Sequence, residues 1–454
     1  MKNCVFLIGL ILWFSPAPTG MDITTWHLFS LFVATILGVI LRPFPMGAIA
    51  IFALSAAVLT KTLPLHEALS GFSHDIVWLV VFAFFISRGF IKSGLGSRIA
   101  YKIMALFGRH SLSVGYGLVL TDLILAPTIP SVTARIGGVV YPILKSVVDL
   151  FKDPKVGAFL TQTTFQASMI TSAMFLTSMA GNPLIAELAS QNGVTITWAS
   201  WMIAAIVPGL ISLLVVPYLI FCLTSPELRK TPHAREMAQE KLAQLGSMKT
   251  QEWIMLGSFI LLIFLWIAGP YFAIKATLAA MVGLSVLLLT KIIQWKDVLE
   301  ETGAWDTFIW FSVLITFTTS LNKMGFTTWF SNAIIHTVEG THWLFGFSIV
   351  SLLYFYSHYL FVSCVAHIGA MYTAFLIISI ALGTPPAFAA LTLGFFSSLM
   401  GALTHYGTGQ APILFEMGTM STAKWWKIGF AASVANIAIW MGVGSLWWKV
   451  LGIW

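Results

Sequence analysis

Apolar stretches of about 17 to 25 residues, the length that crosses roughly 30 Å of hydrocarbon as a helix, recur along this chain from end to end. That recurrence limits what the chain can fold into more than any single motif does. Of 454 residues, 58% are hydrophobic and only 9% are charged, too few polar side chains to cover a water-soluble globule of this size. The predicted fold is an all-α polytopic membrane protein with no soluble domain left over.

Spans are predicted near residues 4–18, 26–41, 45–60, 76–94, 156–180, 199–223, 252–270, 275–291, 306–324, 388–415 and 428–448. The opening "MKNCVFLIGLILWFSP" has the lysine and apolar core of a secretory signal. No clean small-x-small cleavage site follows, so residues 1–25 are read as a retained first transmembrane helix. Two further apolar stretches, 112–145 and 342–382, are interrupted in the middle, and each is read as a hairpin that enters and leaves on one face. About eleven crossings remain.

The basic residues fit that count. With the N-terminus inside, Arg42, Lys291, Lys296, Lys424, Lys427 and the runs Lys92–Arg109, Lys145–Lys155 and Arg229–Lys249 fall on the cytoplasmic side; the outer side receives Lys61, Lys275, Lys323 and Lys449. This is the asymmetry of a correct topology, so the formal charge of +7 reports orientation and not a nucleic-acid partner. The polar segment 225–251 becomes a cytoplasmic linker between a first half, 26–224, and a second, 252–454. The cysteines Cys4, Cys222 and Cys364 are scattered and suggest neither a disulfide framework nor a metal site. No cofactor is implied.

The halves are repeats. Asp75 precedes Lys92-Ser93-Gly94 as Asp306 precedes Lys323-Met324-Gly325; "TKTLPLHEALSGFSHD" parallels "TKIIQWKDVLEETGAWD", and "GNPLIAE" parallels "QAPILFE". Four matches in one order at an offset of about 230 residues are hard to produce by chance. Five crossings and one hairpin per copy turn the second copy upside down, the inverted-repeat arrangement that places a transporter's substrate near the midplane.

Within the hairpins, "SVTAR" at Ser131–Arg135 aligns with "SCVAH" at Ser363–His367. A buried arginine is costly unless it meets a polar cavity or a partner. With Asp122, Glu187 and Glu416 the nearest internal carboxylates by sequence, Arg135 and His367 are candidates to hold the two carboxylates of a substrate. The bland alternatives are an Arg135–Asp122 clamp and a neutral core His367. Ser131, Thr133 and Ser363 offer hydroxyls at the hairpin tips. Pro127, Pro130 and Gly137-Gly138 are read as breaking the first hairpin, and "GTPP" (383–386) as ending the second. "TSMAGNPL" and "THYGTGQAP" combine glycine, proline and small polar residues at membrane depth, where irregular backbone is tolerated only beside protein or a water-filled cavity. Asn182, Thr404, Thr408 and Gln410 from these stretches are expected to line the other walls.

Together these features resemble the divalent anion/sodium symporter family over nearly the whole chain. "HYLFVSCVAH", "THYGTG" and "MFLTSMAGNPLIAEL" are similar to the branch containing the plastid 2-oxoglutarate/malate translocators and the bacterial citrate/succinate and tartrate/succinate exchangers. The resemblance implies eleven spans, a homodimer held by a scaffold, a mobile body that carries substrate elevator-fashion, and a dicarboxylate substrate. The family carries Ser-Asn-Thr at each tip, and in sodium-coupled members the serine and asparagine help to build two sodium sites. This chain has Ser131-Val132-Thr133 and Ser363-Cys364-Val365, with neither asparagine. Valine offers no oxygen, and a thiol is a poor ligand for a hard cation. The expectation is sodium-independent exchange of C4 and C5 dicarboxylates, with Arg135 taking over the neutralising work of the cation. A sodium-coupled dicarboxylate or citrate symporter is the alternative. An intramembrane enzyme lacks a nucleophile–base pair or metal-ligand spacing in the sequence, and a channel would conduct without counter-substrate. No Arg- and Ser-rich transit segment precedes the first span, which points to the cytoplasmic membrane of a bacterium.

Overall fold

A computed structural model describes residues 2–41, 43–151, 153–228, 230–338 and 342–454. Arg42, Lys152 and Arg229, counted above among the basic residues, lie outside the described residues. The architecture is all-helical and its element order runs twice. The first pass comprises Ile23–Leu41, Met46–Leu59, Asp75–Ser93, the short amphipathic Leu95–Phe107, a hairpin, a broken crossing and Trp198–Thr224. The second comprises Thr250–Ala268, Ala276–Leu289, Thr302–Lys323, Phe326–Val338, a hairpin, a broken crossing and the Thr422–Val450 segment. Among the described residues seven helical segments are long and apolar enough to cross a membrane by length alone; Met46–Leu59, Ala276–Leu289 and Pro386–Ala402 are shorter apolar helices.

The duplication extends to backbone detail. Met46–Leu59 and Ala276–Leu289 both end on a threonine, Thr60 and Thr290, each at φ −82° and ψ 0°. Each is followed by a lysine at φ 58°, Lys61 and Lys291, a left-handed conformation rare outside glycine. Both lysines sit where the chain turns back toward the membrane.

Each hairpin is two arms around a short non-helical tip. In the first, Ser111–Leu125 leads through a tight turn to Ser131, whose hydroxyl accepts from Ala134 N at 3.2 Å and so caps the returning helix that begins at Val132. In the second, Trp343–Tyr356 leads to Ser363, which accepts from Ala366 N at 3.4 Å and caps the helix beginning at Cys364. A serine oxygen in this position satisfies one of the amides that an α-helix leaves unpaired at its start. Behind each tip the returning helix widens into a π turn, Ile136–Val140 and Ile368–Tyr372. Gly137 and Gly138 therefore lie inside a continuing helix, and the break falls earlier, around Pro127–Pro130. Gly383, at φ 85°, and Pro386, at the first position of the next helix, do end the second hairpin.

The crossings after the hairpins are interrupted. Pro154–Met174 is started by Asp153, whose carboxylate accepts from Lys155 N at 2.8 Å. It is then enclosed by protein, with every residue from Val156 to Met174 buried. Residues 175–180 leave the helix, which resumes as Gly181–Ser190. The counterpart runs Pro386–Ala402, unwinds over 403–409 and resumes as Gln410–Phe415. The linker forms one helix, Pro232–Leu245, packed on Leu95–Phe107. Its end is fixed by buried Arg98, which pairs with Glu252 at 2.5 Å and donates to the carbonyls of Gly246 and Ser247 at 2.8 and 3.2 Å. An arginine's planar fork suits such a bidentate pairing while leaving donors for carbonyls.

Candidate binding site between the hairpin tips

The two tips and the two unwound segments meet at one cavity of about 300 Å³. Pro130, Ser131, Val132 and Thr133 come from the first tip; Val362, Ser363, Cys364 and Val365 come from the second. Met179 and Ala180 precede the half-helix Gly181–Ser190, and Tyr406, Thr408, Gly409, Gln410 and Pro412 belong to the other unwound stretch and its half-helix. Met169 and Phe84 complete the wall, the latter from Asp75–Ser93.

No lining residue carries a formal charge, so an anion held here meets dipoles and not cations. Ser131, Thr133, Ser363 and Thr408 bring hydroxyls, and Gln410 an amide. Thr408 Oγ1 is buried with no hydrogen-bond partner in the protein, a condition that calls for a ligand or water. Helices that start at Val132, Cys364 and Gly181 present their N-termini to the cavity, and helix N-termini favour carboxylates. The packing is close. A Cβ on Gly409 would overlap Thr133 Oγ1, and one on Gly401 would lie 2.6 Å from Cys364 Sγ.

The sequence reading named Arg135 as a substrate ligand, and here the structure differs. Arg135 is fully buried and does not line the cavity. Its Nε donates to Asp122 Oδ1 at 2.6 Å, its Nη1 to the carbonyls of Ile129 and Ser178 at 2.8 and 2.9 Å, and its Nη2 to Ser172 Oγ at 3.1 Å, with Ser168 O and Thr171 Oγ1 at 3.4 Å. All five guanidinium donors are thus taken by protein. Arg135 stitches both arms of the first hairpin to the unwound segment behind it, and Asp122 neutralises it.

His367, the equivalent residue, is buried behind the second tip and also lies off the cavity wall. Its Nε2 is 2.8 Å from Ser357 Oγ, its Nδ1 has no partner, and its ring is packed among Tyr354, Phe361 and His358 at centroid distances of 4.7, 4.5 and 5.4 Å. Asn182 is also fully buried and off the wall. Its amide donates to the carbonyls of Ser172 and Phe175 at 2.7 and 2.9 Å and its oxygen accepts from Ser398 Oγ at 3.2 Å, so it braces the unwound stretch. Thr404 is buried within the other unwound segment, its hydroxyl unpartnered. The structure therefore gathers Ser131, Thr133, Ser363, Thr408 and Gln410 around one space and sets Arg135, His367, Asn182 and Thr404 behind it. Phe84, Met169, Met179 and Tyr406 escaped the sequence reading, because an apolar or aromatic residue in a membrane helix carries no mark of which wall it forms.

A family model described as the sodium:sulfate symporter transmembrane region matches residues 2–454. The chain belongs to this family. Its members' chemistry is transport across a membrane and not catalysis, and this chain is a membrane transporter. A Bacillus subtilis relative named putative malate transporter YflS is 51% identical, over 98% of this chain and 95% of its own length. Dicarboxylate transporter 1, chloroplastic, of Arabidopsis thaliana is 50% identical, over 98% of this chain and 82% of its own. Among solved structures, the YdaH transporter of Alcanivorax borkumensis, described as having an unusual topology, aligns over 93% of this chain and 98% of its own with a TM-score of 0.54. At 12% identity that likeness speaks for the fold alone.

Proposed function

We propose that this chain exchanges C4 and C5 dicarboxylates of the malate, succinate and 2-oxoglutarate kind across the cytoplasmic membrane of a bacterium, without sodium. The observation that carries this reading is an uncharged cavity on which two capped hairpin tips and a half-helix N-terminus converge. Hydroxyls at Ser131, Thr133, Ser363 and Thr408 would receive the carboxylates, beside Gln410, whose amide nitrogen lies against Met169 Sδ at 2.9 Å and Ser168 Oγ at 3.4 Å. The names of the relatives, a malate transporter and a dicarboxylate transporter, agree in substrate class.

The argument for exchange rests on the empty site. Without a ligand the helix N-termini face each other unneutralised, an unfavourable arrangement to carry through a low-dielectric layer. Val132 and Cys364 follow the tip serines Ser131 and Ser363 and offer no hard oxygen for a sodium ion. A second dicarboxylate then restores the balance for the return journey. Arg135 no longer enters this argument, since its charge is cancelled by Asp122.

In the same reading the hairpins, the broken crossings, Trp198–Thr224 and the Thr422–Val450 segment move as one body against a frame made of the other helices, elevator-fashion. Two inverted repeats, 26–224 and 252–454, flank the cytoplasmic linker 225–251, the N-terminus lies inside, and two copies pair through the frame. The frame carries exposed apolar side chains such as Phe52, Phe264 and Leu289 for lipid or a second copy.

The test is uptake of labelled malate into proteoliposomes, loaded with unlabelled dicarboxylate or left empty, each with and without a sodium gradient. Uptake into loaded vesicles alone, indifferent to sodium, is expected. Sodium-driven uptake into empty vesicles would replace exchange by symport, and continuous conductance without counter-substrate would overturn carrier transport altogether.

A further inference from the structure

On the face that carries the linker, a recess of about 490 Å³ is lined by Arg109, His110, Lys230, Arg235, Glu236 and Gln239. It lies outside the cavity between the tips and has no part in the transport reading above.

The recess is built by a joint in the backbone. Residues 108–110 connect Leu95–Phe107 to the first arm of the first hairpin, and here the chain emerging from Trp198–Thr224 returns alongside. His110 and Lys230 form an antiparallel bridge, Thr231 N donates to Arg109 O at 2.8 Å, and Thr231 Oγ1 donates to Gly108 O at 3.2 Å. Ser111 Oγ donates to Leu228 O. Gly108 lets the helix Pro232–Leu245 sit directly on the joint, since a Cβ there would lie 2.7 Å from Arg235 N. This close seating brings the basic side chains of two distant segments to one opening.

The charges there are unbalanced. Among the described residues no carboxylate lies within ion-pair distance of Arg109, Lys230 or Arg235; the carboxylate in the recess, Glu236, is engaged by His233 Nδ1 at 2.9 Å. Three cations around a recess, none with a side-chain hydrogen-bonded partner among the described residues, form a receptor for an anion with several oxygens. Two exposed leucines flank them in sequence: Leu106, 75% exposed, three residues before Arg109, and Leu228, two residues before Lys230. Basic recesses with apolar edges at the membrane surface suit the phosphate of a lipid head group with its chains lying alongside.

We propose that this recess is a binding site for the phosphate head group of an anionic phospholipid, held by Arg109, Lys230 and Arg235. In the elevator reading the joint links frame to moving body, so an occupant would stiffen the hinge; the binding itself does not depend on that reading. The test is native mass spectrometry of the purified full chain in detergent, after exposure to equal amounts of phosphatidylglycerol and phosphatidylcholine. Phosphatidylglycerol should be retained in preference, and the triple variant Arg109→Gln/Lys230→Gln/Arg235→Gln should retain at least about tenfold less, since each basic side chain near a membrane surface adds severalfold to the attraction for anionic lipid. The charge-preserving pair Arg109→Lys/Arg235→Lys should keep most of the binding. Lys424→Gln/Lys427→Gln, which removes basic residues of the same face outside the recess, should keep all of it. Equal retention of the two lipids, or equal loss in the Lys424/Lys427 variant, would overturn the site. Displacement of the lipid by millimolar inorganic phosphate would keep the phosphate chemistry and overturn the lipid as its source.

Discussion

Arg135 and His367 occupy equivalent places in the two repeats, and so do the residues they meet: Asp122 in one hairpin, Tyr354 in the other, both 13 positions earlier. One hairpin is closed by an ion pair and the other by an aromatic contact. Both pairs lie at equal distances either side of a tip, the arrangement that makes two arms of a hairpin face each other. That symmetry was the signal available in the sequence, and it favours the Arg135–Asp122 clamp, there the alternative, over a substrate ligand at Arg135. The consequence is testable. Arg135→Met alone leaves Asp122 buried and unpaired, a loss of about 3–5 kcal/mol, seen as a lowered melting temperature in detergent. Asp122→Asn/Arg135→Met should recover most of that stability and still transport; a stable but inactive double variant would return Arg135 to the substrate. Ser131→Ala and Ser363→Ala act differently, since each removes both a helix cap and a donor to an anion. Each is expected to raise the half-saturating malate concentration by about tenfold to a hundredfold, in line with about 1.5–3 kcal/mol for a hydrogen bond to a charged group.

At the level of elements, the tips work by close approach. Because Thr133 Oγ1 lies where a Gly409 side chain would begin, Gly409→Ala should push the first tip away from the second unwound segment at about 1–3 kcal/mol. Vesicle exchange rates should fall, and Thr133→Ala in the same chain should restore part of the melting temperature. A second set of contacts ties the half-helix Gly181–Ser190 to the proposed frame. His74 Nε2 lies 3.4 Å from Glu187 Oε1, Gln191 Nε2 donates to Thr319 Oγ1 at 2.9 Å, and Asn322 Nδ2 donates to Gln191 O at 3.2 Å. The Glu187 carboxylate holds His74 above the ordinary imidazole range despite its partial burial; Asp75 adds to this and Lys275 opposes it. A raised histidine pairs fully below about pH 6.5 and loses the pairing as pH rises through its raised value. The melting-temperature gap between wild type and His74→Gln should therefore be largest near about pH 6 and shrink toward about pH 8, and a gap independent of pH would rule the pairing out.

Across the whole molecule, what the sequence disclosed and what it concealed divide by physics. Spans, hairpins and the duplication were legible because hydrocarbon imposes a length on every crossing and because two copies share one order of motifs. The helix breaks after Met174 and after Ala402 were legible from glycine, proline and small polar residues at a depth where only a cavity or protein can satisfy loose backbone. The first tip was legible at Ser131–Thr133, but the break was drawn too wide, since the Gly137-Gly138 pair reads as a break and here continues a widened helix. The cavity wall was legible for its hydroxyls and its glutamine, whose polarity demands a partner. It was not legible for Met169, Met179 and Phe84, nor for the way Asn182 turns inward to hold backbone.

The widened helical turn behind each tip speaks to the molecule's history. A π turn closes its hydrogen bonds one residue further along than an α turn, so each amounts to one extra residue slipped into a helix. Ile136–Val140 and Ile368–Tyr372 occupy the same register in the two copies. One insertion in an ancestral half explains both, whereas insertion after duplication would have to strike the same place twice. The widened turn is thus a property of the repeated half, and each tip carries its own copy of it to the place where the two meet.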